Sequence, residues 1–189
     1  MAQYVTDKIK ARFIDCPADS EIAHYVGCSG DLMLAVSEHK FPGKFFAVLK
    51  YSDEEKEKWK GWALPSYKLK TSPCDICLNG NVLTMERIKG GNFVFELLDS
   101  NSRIPQQPKF SPGDKVLLET KKQVSEGVVA VVDWRGDEAD AFKGSNWSYD
   151  IGGCGQNDPS FDNQPILHKH VPECDLARVF QEQKRIKNE

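Results

Sequence analysis

The sequence predicts a mainly β protein of two small β-rich units, residues 1–104 and 105–189, with only short helices. Three observations predict it. Apolar residues fall in short alternating or compact runs of strand length. Turn-forming groups separate them, among them Phe41-Pro-Gly-Lys44, Asn79-Gly80 and Lys89-Gly-Gly-Asn92. The polar stretch Ser100–Lys109, with two prolines, interrupts the pattern and places a linker with its boundary near Pro105.

In the first unit, Lys8 to Ile14 alternates as a strand does. Pro17 to Val26 suits a short helix, capped by Asp19 or Ser20 and ended by Gly27. Leu32–Val36 and Phe45–Leu49 are compact strands joined through the Phe41–Lys44 turn. Ser52-Asp-Glu-Glu55 is a capping box: the hydroxyl and the carboxylate three positions on each satisfy a free amide at a helix start. It opens a helix of two or three turns that ends near Gly61. Asn79-Gly80 supplies the positive φ angles of a two-residue hairpin loop. With the turn at Lys89–Asn92, it makes an antiparallel meander from about Tyr67 to Leu98.

In the second unit, Phe110-Ser-Pro-Gly-Asp114 turns into Val116-Leu-Leu118. Gly127 opens Val128–Val132 and marks a bulge or a close backbone approach in a curved strand. Trp147-Ser-Tyr-Asp-Ile151 alternates, with one ring buried and its neighbour exposed. Pro172–Asp175 is a tight turn. Leu176, Val179 and Phe180 have helical spacing, so a short C-terminal helix follows, with a polar tail. These segments describe a small, strongly bent barrel.

The order Phe110-x-x-Gly-Asp-x-Val116, Gly127-Val-Val, Trp147-x-Tyr-x-Ile151, Val171-x-Glu-x-Asp-Leu176 resembles SH3-like small barrels of the KOW and Tudor kind. The resemblance implies five short strands with a single helical turn before the last. The chain departs from that pattern at Gly152–Pro165, a long insertion where those modules carry a short turn. Residues 1–104 resemble no family in this way. Such barrels serve many roles, so the likeness carries architecture and leaves function to the site.

Composition narrows the functions. The formal charge is −3; basic and acidic residues balance in 1–104, and acidic ones exceed basic ones in 105–189. Neither half has the cationic excess that phosphate neutralisation needs, which disfavours a nucleic-acid-associated barrel. The N-terminus lacks the apolar run of a signal peptide, and no segment approaches a membrane span, so a cytoplasmic location with no membrane partner is expected. Cys16, Cys28, Cys74, Cys77, Cys154 and Cys174 are then expected as reduced thiols.

Several residues are candidates for a site. Cys74-Asp-Ile-Cys77 has the spacing of half a zinc knuckle, with Cys154, Cys174, His168 or His170 as the other half. On one continuous strand, however, residues three apart face opposite ways, which makes two structural thiols the simpler reading. Asp133-Trp-Arg-Gly-Asp137-Glu-Ala-Asp140 gathers carboxylates beside Trp134, Phe142, Trp147 and Tyr149. Such a rim can capture a cationic group; a solvated acidic turn beside core aromatics is the plainer alternative. Its spacing is not that of a calcium loop. Phe161, alone in the long insertion, is a candidate anchor for a partner. The basic and aromatic residues of Lys56–Trp62 are offset by Asp53, Glu54, Glu55 and Glu57. His168 and His170 belong on one face of a strand, as metal ligands or as an exposed edge. No serine elbow and no local acid/base pair appears. The expected function is therefore a non-catalytic interaction protein that binds a protein or peptide through the loops of the second barrel. The first alternative is a zinc protein or enzyme built on Cys74 and Cys77 with a His or Cys of the second unit.

Overall fold

The computed structural model describes residues 2–37, 41–61, 63–87, 89–99, 103–119, 124–136, 144–153 and 166–178. The protein is mainly β, with one short α-helix. Its contacts divide it into two units, Met1–Pro108 and Lys109–Glu189. The break lies past the expected Pro105, and Gln107 supplies the reason. Its Oε1 accepts from the Ile76 amide at 3.0 Å, and its Nε2 donates to the Gly43 carbonyl at 2.8 Å and the Asp75 carboxylate at 2.6 Å. A stretch that reads as linker is thus bonded to the first unit.

The first unit holds β1 (Ala2–Tyr4), β2 (Ile9–Asp15), β3 (Ser29–Ser37), β4 (Phe45–Lys50), α1 (Asp53–Lys58), β5 (Leu69–Lys70), β6 (Cys74–Asn79), β7 (Val82–Arg87) and β8 (Asn92–Leu97). Six strands form a closed antiparallel ring in the order β3-β2-β8-β7-β6-β4, which the β3–β4 pairing completes. β1 adds to β3, and β5 to β4. Alternation dictates what fills the ring. Ile9, Ala11 and Phe13 point inward from β2, Phe45, Ala47 and Leu49 from β4, and Phe93, Phe95 and Leu97 from β8. Phe13 and Phe95 stack with ring centroids 5.0 Å apart. Each of the phenylalanine, leucine and isoleucine side chains contributes roughly 1.5–3 kcal/mol by leaving water, and the alanines less.

The second unit holds β9 (Lys115–Glu119), β10 (Val124–Trp134), β11 (Trp147–Gly153), β12 (Ile166–Pro172), a 3₁₀ turn (Glu173–Asp175) and β13 (Leu176–Arg178). They form an antiparallel sheet in the order β12-β11-β10-β9-β13. Its entry is the turn at Ser111–Asp114. The Ser111 amide donates to the Asp114 carboxylate at 2.9 Å, and the Asp114 amide donates to the Ser111 carbonyl at 3.0 Å. The long strand β10 pairs with β9 over Val124–Val128 and with β11 over Gly127–Trp134, bending at a bulge between Val129 and Val131. Gly127 sits where the two sheet halves meet, and a Cβ there would lie 2.2 Å from Ile151 Cγ2.

The first unit is itself a closed ring, and among the described residues no pairing joins β12 to β13 of the second. Four expectations change. Pro17–Val26 forms only a 3₁₀ turn at Ala23–Tyr25, because it buries no apolar face that would reward a longer helix. The two-residue hairpin loop is Gly80-Asn81, one position later than expected. Only Gly80 has a positive φ, +60°, as a loop with glycine in its first place requires. Leu176–Arg178 is a strand, since it completes the free side of β9, with Leu176 opposite Leu118; Val179 onward, where the helix was to continue, lies outside the described residues. Finally, Trp147 and Tyr149 are both buried, because residues two apart share one face of a strand.

Candidate functional site

The two faces of β10 and β11 do different things. Inward, Trp147, Tyr149, Ile151 and Val132 make the core, with the Phe110 ring edge-on to Tyr149 at 5.5 Å. The Tyr149 hydroxyl donates to the Glu173 carboxylate at 2.6 Å. Burial first, and that bond second, raise its pKa above the ordinary phenol value. Trp147 and Tyr149 are therefore framework and not contact surface, which corrects their assignment to a binding rim. Trp134 stays half-exposed, its ring edge-on to Trp147 at 5.0 Å. Gly136, at φ +46°, lets the chain pass over that indole, where a Cβ would lie 2.9 Å from Nε1. Phe142, Asp137 and Phe161 lie outside the described residues.

Outward, five polar side chains from three strands and the turn after β10 converge. Arg135 Nε donates to the Ser148 hydroxyl at 2.7 Å, and its terminal nitrogen reaches Asp133 at 3.4 Å and the His170 Nδ1. The His170 amide donates to Asp150 Oδ1 at 2.8 Å. His170 is the single non-glycine residue with positive φ (55°) among the described residues. A left-handed residue of this kind costs about 1–2 kcal/mol. The register shifts between β11 and β12 produce it, and they separate His170 from His168. Sequence reasoning placed the two histidines together and overlooked Arg135 and Asp150. Which strands pair, and where they bulge, decides that convergence, and no local signal carries it.

The chemistry of this cluster is constrained by its guanidinium. Ligand atoms of Asp133, Asp150 and His170 lie within 4.8 Å of one another, a set that could hold an ion. Arg135 stands against two of them, so the cluster already contains its cation, and an incoming ion would meet that charge. Ser148 is fully buried, and its oxygen accepts from Arg135 instead of facing a base, so Ser148, His170 and Asp150 do not make a nucleophilic triad. Among the described residues no histidine is hydrogen-bonded to a hydroxyl or thiol.

In the first unit, Cys74 is buried on β6 and Cys77 is exposed on the other side. Strand parity sends the sulfurs apart, so the pair does not converge on one zinc ion. Burial pushes the Cys74 thiol up to about 11, the opposite of what a metal ligand or a nucleophile needs. Beside α1 lies a cleft of about 240 Å³, lined by Lys10, Ser29, Ser52, Glu54, Glu55 and Leu98. Its charges answer one another. Lys10 donates to the buried Asp31 at 2.6 Å, and Lys68 to Glu55 at 2.6 Å. Comparison with protein-family models, curated proteins and solved structures finds no match to this chain.

Proposed function

We propose that this chain is a non-catalytic binding protein that engages a protein or peptide partner through its second unit, an SH3-like barrel. The strand order β12-β11-β10-β9-β13, with a 3₁₀ turn before a last strand that returns to the first, supports that fold reading. One observation carries the functional reading. His170 holds a left-handed conformation at the sheet margin, with its amide bonded to Asp150 and its ring against Arg135. Backbone strain held by side-chain bonds, on a surface where charged groups converge and, among the described residues, no nucleophile–base pair stands, fits recognition better than turnover. Trp134 offers apolar area at small entropic cost, and the Asp133–Arg135–Asp150–His170 cluster offers donors and acceptors already in place.

The test is selection of binders from a displayed peptide library by the full chain, followed by measurement with Trp134→Ala, Arg135→Ala and His170→Gly. Glycine accepts the left-handed backbone, so His170→Gly removes the ring without unfolding the sheet. Circular dichroism of that variant should match the parent, while affinity for the selected peptides falls about tenfold or more. Absence of any selected binder, or equal affinity in all three variants, overturns the proposal.

A further inference from the structure

A closed barrel must turn every second side chain outward, and the first unit does something specific with those on β1, β3, β4 and β5. Outward from β4 come Phe46, Val48 and Lys50; Tyr4 lies beside Ala35 of β3, and Lys70 beside Val48. Ala35 and Val48 are almost fully buried although they face away from the core, so larger neighbours lie over them. Lys50 Nζ stands 4.8 Å from the Tyr4 ring centroid, and Lys70 Nζ stands 5.2 Å from that of Phe46. Tyr4 is 48% exposed, so this wall is reachable from solvent.

The contrast with neighbouring lysines defines the wall. Lys68 also lies over a ring, that of Tyr51, but Glu55 answers it at 2.6 Å. Lys44, just before β4, is answered by Asp75 at 2.5 Å. Among the described residues no carboxylate answers Lys50 or Lys70. Asp31, directly opposite Lys50 in the sheet, is buried and bonded to Lys10. Two ammonium groups are thus held by ring faces, next to apolar surface, with no counter-charge among the described residues.

We propose that this outer wall docks an acidic, extended segment of a partner protein, with its carboxylates on Lys50 and Lys70 and an apolar side chain against Tyr4 and Phe46. Cation–π contact holds each ammonium in place, which lowers the entropy lost when a carboxylate arrives. Single-stranded nucleic acid fits less well, because stacking needs open ring faces and these carry the protein's own lysines. A second copy of the same wall would bring four ammonium groups together with no carboxylate between them. The inference is independent of the second unit's proposed role.

The experiment is fluorescence anisotropy on the full chain with three labelled probes: a short Glu-Ser-Val-Ser repeat, whose glutamates and valines share one face of an extended chain, its lysine-for-glutamate counterpart, and oligouridylate. The glutamate peptide should bind, and the double variant Lys50→Glu with Lys70→Glu should weaken it about tenfold or more. The same variant should gain affinity for the lysine peptide, a reversal that damage to the fold would not produce. The milder pair Lys50→Gln and Lys70→Gln should fall between, and His170→Gly should leave binding unchanged. Equal binding of the glutamate peptide to parent and double variant, no binding to the parent, or tighter binding of oligouridylate overturns the proposal.

Discussion

The two units solve the same problem, a sheet with free edges, in different ways. The first closes: β3 meets β2 through its first half and β4 along most of its length, so six strands satisfy one another around a core of phenylalanine and leucine. In the second, no pairing among the described residues closes the sheet, and β12 and β13 stand at its margins. Its outer strand β12 carries Lys169, two histidines, Pro172 and two register shifts, devices that blunt an edge against pairing with other chains. Closure turns the outward side chains of the first unit's strands into a continuous wall for contact with other molecules. Openness gives the second a margin where backbone irregularity can position side chains. Where a sheet ends therefore governs where chemistry can be displayed.

That comparison can be broken at the closing seam. Gly30 lies where a Cβ would stand 2.2 Å from the Lys50 carbonyl oxygen, a backbone atom with nowhere to go. Gly30→Ala should be the most damaging substitution, costing about 3 kcal/mol or more, or preventing folding of the first unit. Urea unfolding followed by amide NMR, unit by unit, would register it. The matching change in the open sheet is Gly127→Ala, whose Cβ would meet the Ile151 side chain at 2.2 Å. Ile151 is buried but is a side chain that can repack, and the nearest backbone atom, the Gly152 carbonyl oxygen, would stand at 3.1 Å, so a loss of about 1–3 kcal/mol is expected, confined to second-unit resonances. If Gly127→Ala proves the more costly, closure is not what makes the first unit rigid.

Smaller changes sharpen the contrast. Tyr149→Phe deletes the bond to Glu173, which retains the Lys109 amide at 3.0 Å. A loss of about 1.5 kcal/mol should appear in the second unit's urea midpoint. The last effect is confined to alkaline pH. The Cys74 thiol ionises near 9 when unfolded and is pushed to about 11 by burial, so the folded state keeps a proton that the unfolded chain has lost. Its contribution is whole below pH 9 and is lost as pH rises towards 11. Cys74→Ala should flatten the first unit's stability over that window and leave the second unit's alkaline response, from the raised Tyr149, in place. An unchanged pH profile in Cys74→Ala would remove the thiol from this account.

Legibility in the sequence tracks how local each cause is. The capping box at Ser52–Glu55 forms with both of its bonds, the Ser52 amide to Glu55 at 2.8 Å and the Glu55 amide to the Ser52 hydroxyl at 3.2 Å, since four consecutive residues contain all of it. The Phe41–Lys44 turn likewise joins β3 to β4, with Lys44 donating to the Phe41 carbonyl at 3.1 Å. The hairpin after β6 was legible in kind and off by one position, because flanking pairs set which residue takes the positive φ. Of the rim assigned from sequence, Trp134 stays at the surface while Trp147 and Tyr149 turn inward. Aromatic residues near acidic ones look alike on either face until the partner strand is known.

Alternating runs, glycine turns and a helix cap, each written within a few adjacent residues, determined by themselves that this chain is built from short antiparallel strands. Tertiary structure alone decided that β4 closes on β3, that Leu176–Arg178 returns to β9, and that Arg135, Asp150 and His170 meet. The physical reason is reach. Backbone torsions and caps are fixed by neighbours in the chain, whereas ring closure and a converging cluster depend on strands far apart in sequence taking one register.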